Sequence, residues 1–261
     1  MAKQIKIWLH GYDGRMGFAL RQILEEEDSA TTVGGHNQST IWRKGQEAPV
    51  DDSTVASHLE AHLVDAVIDF SLPRGSHKLL EILQNTKEPP ALLIATTGLD
   101  DGTLKSAKSL AQQSAVMIAP NTSLGVIATA QAAAHLAKQF FPRGFDIEIV
   151  ESHHRHKQDS PSGTAYFYAR SIQNEIPNLT LNTNRTGPRD RHEIGIQAVR
   201  GGNVFGEHTI RIMGDNEEIE LTHRALNRKL FAQGALAIAR WLCAQKPGLY
   251  TVEDFAQNQG R

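Results

Sequence analysis

Apolar side chains recur with two different periods in the first half of the chain. Short, mostly apolar runs predict buried strands over residues 5–9, 31–33, 63–70, 91–95 and 115–119. Between them, apolar residues at helical spacing predict helices over residues 15–27, 75–84 and 102–113. Strand and helix therefore alternate, which is typical of βαβ units that build a doubly wound parallel sheet.

The pattern changes after residue 124. An alanine-rich helix is predicted up to residue 139, followed by a strand at 145–150, a helix at 161–175 and strands at 194–200, 208–213 and 218–223. A last amphipathic helix covers residues 229–244 and precedes a short tail. We therefore predict an α/β protein. It has a Rossmann-like parallel sheet in residues 1–124 and a second, α+β domain with an open mixed sheet in residues 125–233.

Composition narrows the classes of partner. The 261-residue chain has a formal net charge of −2, so no global positive field favours nucleic acid or an anionic membrane surface. A single cysteine excludes a disulfide framework and argues against a cysteine-based zinc site. No apolar run reaches the roughly 18 residues of a membrane span. We expect no membrane partner and a cytoplasmic location.

A glycine-rich turn, WLHGYDGRMG, follows the first predicted strand and opens the first helix. Gly11, Gly14 and Gly17 would let the backbone approach a pyrophosphate at the helix N-terminus, where free N–H groups favour an anion. The usual Rossmann pattern has a further glycine where this chain has Asp13. The order of strand, turn, helix and strand favours dinucleotide binding over the alternative, a tight turn without a ligand.

The end of the second strand bears on the choice between NADH and NADPH. A carboxylate there favours the free 2′-hydroxyl of NADH, but the sequence has no acidic residue at this place and offers Asn37 instead. Arg15, and also Arg43 or Lys44, could pair with the 2′-phosphate of NADPH. We therefore expect NADPH to be accepted at least as well as NADH.

Two later loops, residues 95–98 and 119–123, follow predicted strands at the edge where ligands bind in sheets of this type. Their small hydroxyl and amide side chains suit a ribose and a nicotinamide amide. Ordinary polar turns have the same composition, so both interpretations stay open.

The segment ESHHRHKQDSPSGTA, residues 151–165, concentrates groups that exchange protons. On a strand, His154 and His156 would share one face and His153 the other, and the helical spacing of zinc enzymes is absent, so we predict no metal. The basic run has no interleaved aromatic residues, which argues against nucleic acid. A solvated polar loop is a further alternative.

A site for proton transfer and anion binding is the interpretation we favour for this segment. Histidine titrates near neutral pH, and lysine adds a cation. Gly163 and Thr164 at a predicted helix start, with Pro161 in the first turn, would hold a carboxylate. The segment therefore predicts a small carboxylate-bearing substrate that is protonated as hydride arrives.

Six stretches occur in order along the chain: GYDGRMG, ATTG, APNTSLGV, ESHHRHKQDSPSGTA, RGGNVFGEHT and LTHRALNRKLFAQGA. Together they resemble the 4-hydroxy-tetrahydrodipicolinate (dihydrodipicolinate) reductase family of bacterial lysine and diaminopimelate biosynthesis, over essentially the whole chain. The resemblance implies reduction of a cyclic unsaturated dicarboxylate with NADPH, NADH or both. It also implies a homotetramer built through the second domain, with residues 234–261 returning to the first.

By this resemblance, His153 would supply the proton and Lys157 would be the second catalytic residue. The substrate carboxylates would be bound by His154, Gly163, Thr164 and Arg228. The cofactor contacts would come from Gly11, Tyr12, Asp13, Gly14, Arg15, Met16, Asn37, Ala95, Thr96, Thr97, Ala119, Pro120, Asn121 and Thr122.

The chain departs from the commoner family pattern at four positions. Asn37 replaces an acidic residue, and Ala95 stands where a loop often begins with glycine. Thr122 and Ile127 replace a large apolar residue and an asparagine, respectively. None of the four is the predicted proton donor or lies in the carboxylate loop, so we expect activity. Two alternatives stay open: a dehydrogenase of a different carboxylate, and a dinucleotide-binding sensor without turnover.

Overall fold

A computed structural model describes residues 4–43, 46–60 and 64–258. The chain divides into two compact units, Met1–Ser123 with Arg228–Arg261, and Leu124–Asn227. Numbered along the whole chain, the strands are β1 Ile5–His10, β2 Ala30–His36, β3 Thr40–Arg43, β4 Gln46–Pro49, β5 Ala66–Asp69, β6 Ala91–Ile94, β7 Ala115–Ile118, β8 Asp146–His153, β9 Thr180–Asn182, β10 Glu193–Arg200, β11 Glu207–Met213, β12 Glu218–Arg224 and β13 Gly248–Tyr250. The α-helices are α1 Arg15–Glu25, α2 Asp52–Leu59, α3 Pro73–Gln84, α4 Asp101–Leu110, α5 Leu124–Phe140, α6 Gly163–Glu175, α7 Lys229–Leu242 and α8 Val252–Asn258.

The first unit is built on one sheet with the strand order β13-β7-β6-β5-β1-β2-β3-β4. Neighbours from β13 to β2 run parallel, whereas β3 pairs antiparallel with both β2 and β4. The strand order reverses at β1, which lies between β2 and β5. Open α/β sheets bind ligands at such a reversal, outside the carboxyl ends of the strands.

Most of the core of the first unit comes from strands that are buried on both faces and from α3. Strands β5 and β6 bury all of their residues, which explains their continuous apolar sequences. The side chains that pack there include Trp8, Val67, Leu79, Leu80, Leu83, Leu92 and Val116. Full burial of a side chain of this size contributes about 1.5–3 kcal/mol, so this core keeps the strand ends in fixed positions.

Aspartate side chains cap two helices of the first unit. The carboxylates of Asp51 and Asp100 accept the backbone N–H groups of Thr54 (3.1 Å) and Thr103 (2.7 Å) at the starts of α2 and α4. At the start of α1, the N-cap residue Gly14 makes no side-chain cap. The first N–H groups of α1 are therefore not capped by a side chain and suit a ligand anion.

The second unit contains a five-stranded sheet with the order β12-β11-β8-β10-β9. Strand β8 runs parallel to β10 and antiparallel to β11, so the sheet is mixed. Helices α5 and α6 pack on each other and join the sheet in one core, whose side chains include Ile147, Ile149, Tyr168, Ile172, Ile194, Ile210 and Ile212. The register pairs Arg200 with His153 and His208 with Glu151, which places charged and proton-exchanging side chains side by side.

The predicted fold class is confirmed: a Rossmann-like, mostly parallel sheet is followed by a domain with a mixed sheet. The sequence does not predict β3, β4, α2 or β9, and it predicts a tail where β13 and α8 occur. These elements are short, and β4 exposes all four of its residues, so they carry no apolar period. The predicted strand at 63–70 is shorter in the structure, and Leu63 lies outside the described residues.

The expected helix start at Pro161 is wrong. Helix α6 begins at Gly163, because Ser162 is the N-cap and its hydroxyl accepts the N–H of Ala165 (3.2 Å). Pro161 precedes the cap. Among the described residues, no helix combines the length and the apolar character that crossing a membrane requires.

Candidate functional site

The glycine turn makes a tight connection between β1 and α1. Gly11 has a φ of +79°, and a Cβ there would lie 2.8 Å from the carbonyl oxygen of Phe70. A Cβ on Gly17 would lie 2.3 Å from the carbonyl oxygen of Gly11. The N–H of Gly11 donates to the carbonyl of His36 (2.8 Å). Glycine is therefore required at both positions, and the turn joins the N-terminus of α1 to the ends of β1 and β2.

A cleft of about 370 Å³ lies where the strand order reverses. Its lining comes from the turn, the end of β2 and the residues after β5: His10, Gly11, Asp13, Gly14, Asn37, Gln38, Ser39, Phe70, Ser71 and Leu72. A second cavity of about 550 Å³ shares His10, Asn37 and Gln38 with the cleft and extends to α3. Volumes of this size and the position at a strand reversal fit a dinucleotide.

Tyr12 is the one predicted cofactor residue of the turn whose side chain is buried. Its hydroxyl donates to Glu47 (2.8 Å) and hydrogen-bonds Thr40 (2.9 Å), on the β3–β4 hairpin. Tyr12 can therefore offer a ligand only its backbone. The other predicted residues of the turn are exposed or half-buried: Asp13, Gly14, Arg15 and Met16.

Asn37 follows β2, and both polar atoms of its side chain are hydrogen-bonded. Its carbonyl oxygen accepts the backbone N–H groups of Ser39 and Thr40, both at 2.7 Å. Its amide nitrogen donates to the carboxylate of Asp13 (2.7 Å). An acidic side chain therefore lies at the end of β2 after all, but the turn supplies it.

The three cations predicted to meet a 2′-phosphate have different surroundings. Arg15 is exposed in the turn. The guanidinium of Arg43 contacts the imidazole of His58 on α2. Lys44 lies outside the described residues. Of the two described cations, Arg15 is therefore the one that lies in the glycine turn.

The two later loops follow β6 and β7, whose carboxyl ends lie at the same edge as the turn because the strands are parallel. Thr96 is buried, and its hydroxyl has no hydrogen-bond partner among the described residues. The hydroxyl of Thr122 donates to the carbonyl of Phe231 (2.7 Å), and Asn121 accepts the N–H of Ser123 (2.9 Å). Thr96 therefore offers a ligand its hydroxyl, whereas Thr122 stabilises the fold. The remaining predicted residues of these loops are Ala95, Thr97, Ala119 and Pro120.

In the second unit, three neighbouring strands bring Glu151, Arg200 and His208 together. Arg200 donates to both carboxylate oxygens of Glu151, at 2.7 and 3.0 Å, and Glu151 is 0% exposed. Nδ1 of His153, at the end of β8, hydrogen-bonds the same carboxylate. The predicted proton donor is therefore fixed by a buried ion pair.

The charge of Glu151 determines where His153 carries its hydrogen. Burial would raise the pKa of the Glu151 carboxyl, but the hydrogen bonds and positive charges of His153 and Arg200 outweigh it and lower the pKa to about 2. An ionised carboxylate only accepts hydrogen bonds, so Nδ1 of His153 must donate. Proton exchange then takes place at Nε2, which lies 2.9 Å from the point where a Cβ on Gly206 would sit.

Ser162 links this ion pair to helix α6. Its backbone N–H donates to Glu151 (3.1 Å), and its hydroxyl hydrogen-bonds Nε2 of His208 (3.0 Å). Burial lowers the pKa of His208 to about 3, so this imidazole is neutral at physiological pH. The rings of His208 and His153 meet edge-on, with centroids 5.0 Å apart. His208 therefore adds no positive charge beside the proton donor.

Glu151, His153 and His208 also have the spacing of a metal site, since their ligand atoms all lie within 4.8 Å of one another. Both oxygens of Glu151 already accept hydrogen bonds from the Arg200 guanidinium. A cation would have to displace another cation to reach this carboxylate. We therefore interpret the cluster as a hydrogen-bonded network that serves proton transfer.

Lys157, predicted for catalysis, lies in the loop after β8, and Gly163, predicted for anion binding, is the first residue of α6. The ammonium of Lys157 bonds the carboxylate of Asp159 (2.8 Å). Burial would raise the pKa of Asp159, but the bond and charge of Lys157 outweigh it and lower the pKa. Lys157 therefore already binds a carboxylate, which is that of Asp159.

The other predicted substrate residues lie in different places. Because β8 ends at His153, His154 and His156 belong to the loop, and the expectation that they share a strand face is wrong. The N–H of His154 donates to the carbonyl of Val204 (2.8 Å). Thr164 lies half-buried in the first turn of α6. Arg228 is the exposed N-cap residue of α7 and falls in the first unit.

Sequence patterns do not single out Arg200, His208 or Gly206. Alternation along a strand already places Glu151 and His153 on one face. Arg200 and His208 join them only through the pairing of β8 with β10 and β11. The local sequence contains no signal for that register.

Comparisons with known proteins find relatives along nearly the whole chain. Family models described as dihydrodipicolinate reductase match residues 5–122 (N-terminus) and 125–256 (C-terminus). A 4-hydroxy-tetrahydrodipicolinate reductase of Nitratiruptor sp. is 37% identical over 258 residues, which covers 96% of this chain and 98% of the relative. One from Campylobacter jejuni subsp. doylei is 38% identical over 263 residues and covers 97% of each chain.

A solved structure shares the fold. The dipicolinate-bound dihydrodipicolinate reductase from Paenisporosarcina sp. TG-14 has a TM-score of 0.77 at 23% identity, and the match covers 95% of this chain and 97% of that one. The two family models cover nearly the whole chain, and the relatives do so at more than a third identity. The chain therefore belongs to the dihydrodipicolinate reductase family.

Proposed function

We propose specific residue roles for the reaction that family membership assigns to this chain. That reaction is the NAD(P)H-dependent reduction of 4-hydroxy-tetrahydrodipicolinate to tetrahydrodipicolinate in the diaminopimelate route to lysine, in which the 4-hydroxyl group leaves as water. The reduced nicotinamide, when bound, supplies the hydride. His153 supplies the proton, and Lys157 is the second catalytic residue.

The ion pair beneath His153 is the observation that carries its role. Glu151 holds Nδ1–H and stabilises the imidazolium, so Nε2 can give up a proton and regain it without the ring turning. The neutral His208 nearby does not oppose that charge. This arrangement matches a general acid that acts through Nε2.

The bond to Asp159 supports the proposed carboxylate site. Lys157 binds a carboxylate of the protein itself, which is the chemistry that a substrate carboxylate needs. A Cβ on Gly163 would meet no heavy atom within 4 Å, so the helix start has open space beside it. We assign one substrate carboxylate to Lys157, Gly163 and Thr164, with His154 and Arg228 as further contacts.

The cofactor belongs to the cleft of the first unit in this proposal. The glycine turn and the N-terminus of α1 bind the pyrophosphate, and Asn37 lies at the adenosine ribose. The loops that follow β6 and β7 contact the nicotinamide half, where Thr96 has a hydroxyl to offer. We assign dinucleotide binding to the unit formed by Met1–Ser123 and Arg228–Arg261, so residues 228–233 belong to the first unit and not, as the sequence suggests, to the second. We assign substrate binding and oligomerisation to Leu124–Asn227.

A coupled assay tests the activity. Dihydrodipicolinate synthase generates the substrate in place, and the decrease of NAD(P)H absorbance is followed. His153→Gln and Lys157→Ala should each lower kcat by about 10²–10⁴-fold, the usual contribution of general acid catalysis, with little effect on the Kd of the cofactor. Thr164→Val should chiefly raise the KM of the substrate.

His156→Gln is the matched control, because this exposed histidine lies in the same loop and has no assigned role. It should keep the kcat of the wild type. Near-normal kcat in both His153→Gln and Lys157→Ala would refute the assigned roles. Binding of NAD(P)H without any oxidation by the wild type would instead favour a sensor that has lost turnover.

We also propose that the protein is a cytoplasmic homotetramer assembled through its second domain. The two edge-side strands support a surface for assembly, since β12 buries none of its seven residues and β11 buries every second one. Light scattering coupled to size exclusion should give about four times the 28.7 kDa of one chain. A monomeric mass at micromolar concentration would contradict the proposal.

A further inference from the structure

We propose that Asp13 reads the adenosine ribose and makes NADH the preferred cofactor. The inference deepens the proposed function and rests on it, because it concerns the nucleotide bound in the same cleft. Asp13 stands where the usual glycine pattern has no side chain, and it carries a negative charge into the cleft. The sequence alone favours the opposite preference, because no carboxylate follows β2.

The hydrogen bonds of Asn37 explain why it does not read the ribose itself. Its carbonyl oxygen accepts the backbone N–H groups of Ser39 and Thr40, so this acceptor is already bonded within its own loop. Its amide donates to Asp13 at 2.7 Å. Asn37 therefore acts as a support that holds the Asp13 carboxylate at the end of β2.

The position of Asp13 matches the place of the acidic residue in a Rossmann site. A pyrophosphate at the N-terminus of α1 puts the adenosine ribose between the glycine turn and the end of β2, where a carboxylate accepts the 2′-hydroxyl. Asp13 lines the cleft between the glycine turn and the end of β2, together with Gly14 and Asn37. A carboxylate has roughly four acceptor sites, so the bond from Asn37 leaves room for ribose hydroxyls.

The charges around the end of β2 disfavour a 2′-phosphate. A phosphate beside Asn37 would lie next to the Asp13 carboxylate. His36 also borders the cavity, but burial, together with the neighbouring His10, lowers its pKa well below the usual range, so it adds no positive charge. Lys78 on α3 is paired with Asp52 at 2.6 Å.

Among the described residues of the turn and the second cavity, Arg15 and Arg74 are the cations without a carboxylate partner that could oppose this preference. Both side chains are exposed, Arg15 in the turn and Arg74 on α3 at the second cavity. Neither is hydrogen-bonded to Asn37, whereas Asp13 is. The carboxylate is therefore the charged group that a hydrogen bond fixes beside Asn37, whereas exposed cations are screened by water and salt.

Steady-state kinetics with both nucleotides test the inference. For the wild type, kcat/KM with NADH should exceed that with NADPH by at least about tenfold. Asp13→Asn removes the charge and keeps an oxygen that can accept from Asn37. This variant should lower the NADH/NADPH ratio by about tenfold or more, chiefly through a lower KM for NADPH.

Asp28→Asn is the matched control, since Asp28 is exposed in the same unit but precedes β2, at the opposite end of that strand. It should leave the ratio unchanged. A wild-type preference for NADPH, or an unchanged ratio in Asp13→Asn, would overturn the inference. So would an equal change of the ratio in Asp28→Asn.

Binding measured without substrate separates this inference from the proposed function. Titration of NADH and NADPH, followed by nicotinamide fluorescence, should give the same selectivity and the same shift in Asp13→Asn. If selective binding is found but no turnover, the proposed function fails and the role of Asp13 stands. If turnover is found but binding is not selective, the role of Asp13 fails and the proposed function stands.

Discussion

Replacing Glu151 by glutamine separates the positioning of His153 from the stability of the second unit. The variant keeps the size of the side chain and one oxygen, but it removes the charge that Arg200 and His153 bind. The new amide can donate to Nδ1 of His153, so the ring hydrogen would move to Nε2. His153 would then have the wrong tautomer and a less stable imidazolium.

The structure sets the expected size of both effects. The Glu151 pKa falls from its ordinary 4.5 to about 2, and each tenfold change in proton binding corresponds to about 1.4 kcal/mol. The ionised form is thus stabilised by about 3 kcal/mol, similar to the cost of breaking a buried ion pair. We expect the variant to lose about 3 kcal/mol of unfolding free energy at pH 7. Its kcat should fall by about 10²–10⁴-fold.

The stability effect has a defined pH window. Because the folded-state pKa of Glu151 is depressed, its contribution is complete above pH 4.5 and disappears as the pH falls toward about 2. The difference in unfolding free energy between wild type and Glu151→Gln should therefore shrink between pH 5 and pH 3. Urea unfolding at several pH values, followed by circular dichroism, measures it.

Glu148→Gln is the matched control for Glu151→Gln. Glu148 is a buried residue near the other end of β8 from His153. Its carboxylate bonds the guanidinium groups of Arg185 and Arg189. The Glu148→Gln variant should have a lower free energy of unfolding than the wild type and an unchanged kcat. If Glu151→Gln loses stability but keeps kcat within about threefold of the wild type, Glu151 does not position His153, and our reasoning is refuted.

Three further predictions follow from single contacts. Gly206→Ala should lower kcat and leave cofactor binding unchanged in a fluorescence titration, because the new Cβ would lie 2.9 Å from Nε2 of His153. In His208→Gln, the free energy of unfolding should fall less steeply between pH 6.5 and pH 4 than in the wild type. Burial lowers the pKa of His208 to about 3, whereas the imidazole of the unfolded chain has its ordinary pKa of 6.5. As the pH falls, the unfolded state therefore binds a proton before the folded state does, and the free energy of unfolding decreases. An unchanged slope in urea unfolding would contradict this. Gly17→Ala should weaken NADH binding at least tenfold, since its Cβ would lie 2.3 Å from the carbonyl oxygen of Gly11; calorimetric titration measures it.

The fold class and the family could be predicted from the sequence because both depend on local signals. Continuous apolar runs indicate strands that are buried on both faces, as β5 and β6 are. The glycine turn and the segment at 151–165 are specific enough to indicate the family, which the relatives confirm. Short elements such as β4, β9 and β13 carry too few residues for a period, so the sequence does not indicate them.

The roles of individual residues depend on contacts that are distant in sequence. The sequence suggested Tyr12 and Thr122 as cofactor contacts, but their hydroxyls bond other parts of the first unit, at Glu47 and Phe231. The sequence predicts that Asn37 tolerates a 2′-phosphate, but in the structure its amide donates to the carboxylate of Asp13. In each case the hydrogen-bond partner of the side chain lies elsewhere in the unit, and the sequence does not indicate it.

The sequence by itself determined the alternation of strands and helices and the need for glycine in the first turn. These features follow from side-chain size, backbone freedom and apolar spacing, which act over a few residues. Only the tertiary structure decided that Glu151, Arg200 and His208 surround His153, and that Asp13 meets Asn37. Strand register and the reversal at β1 bring these groups together, and charge acts through space, whatever the separation along the chain.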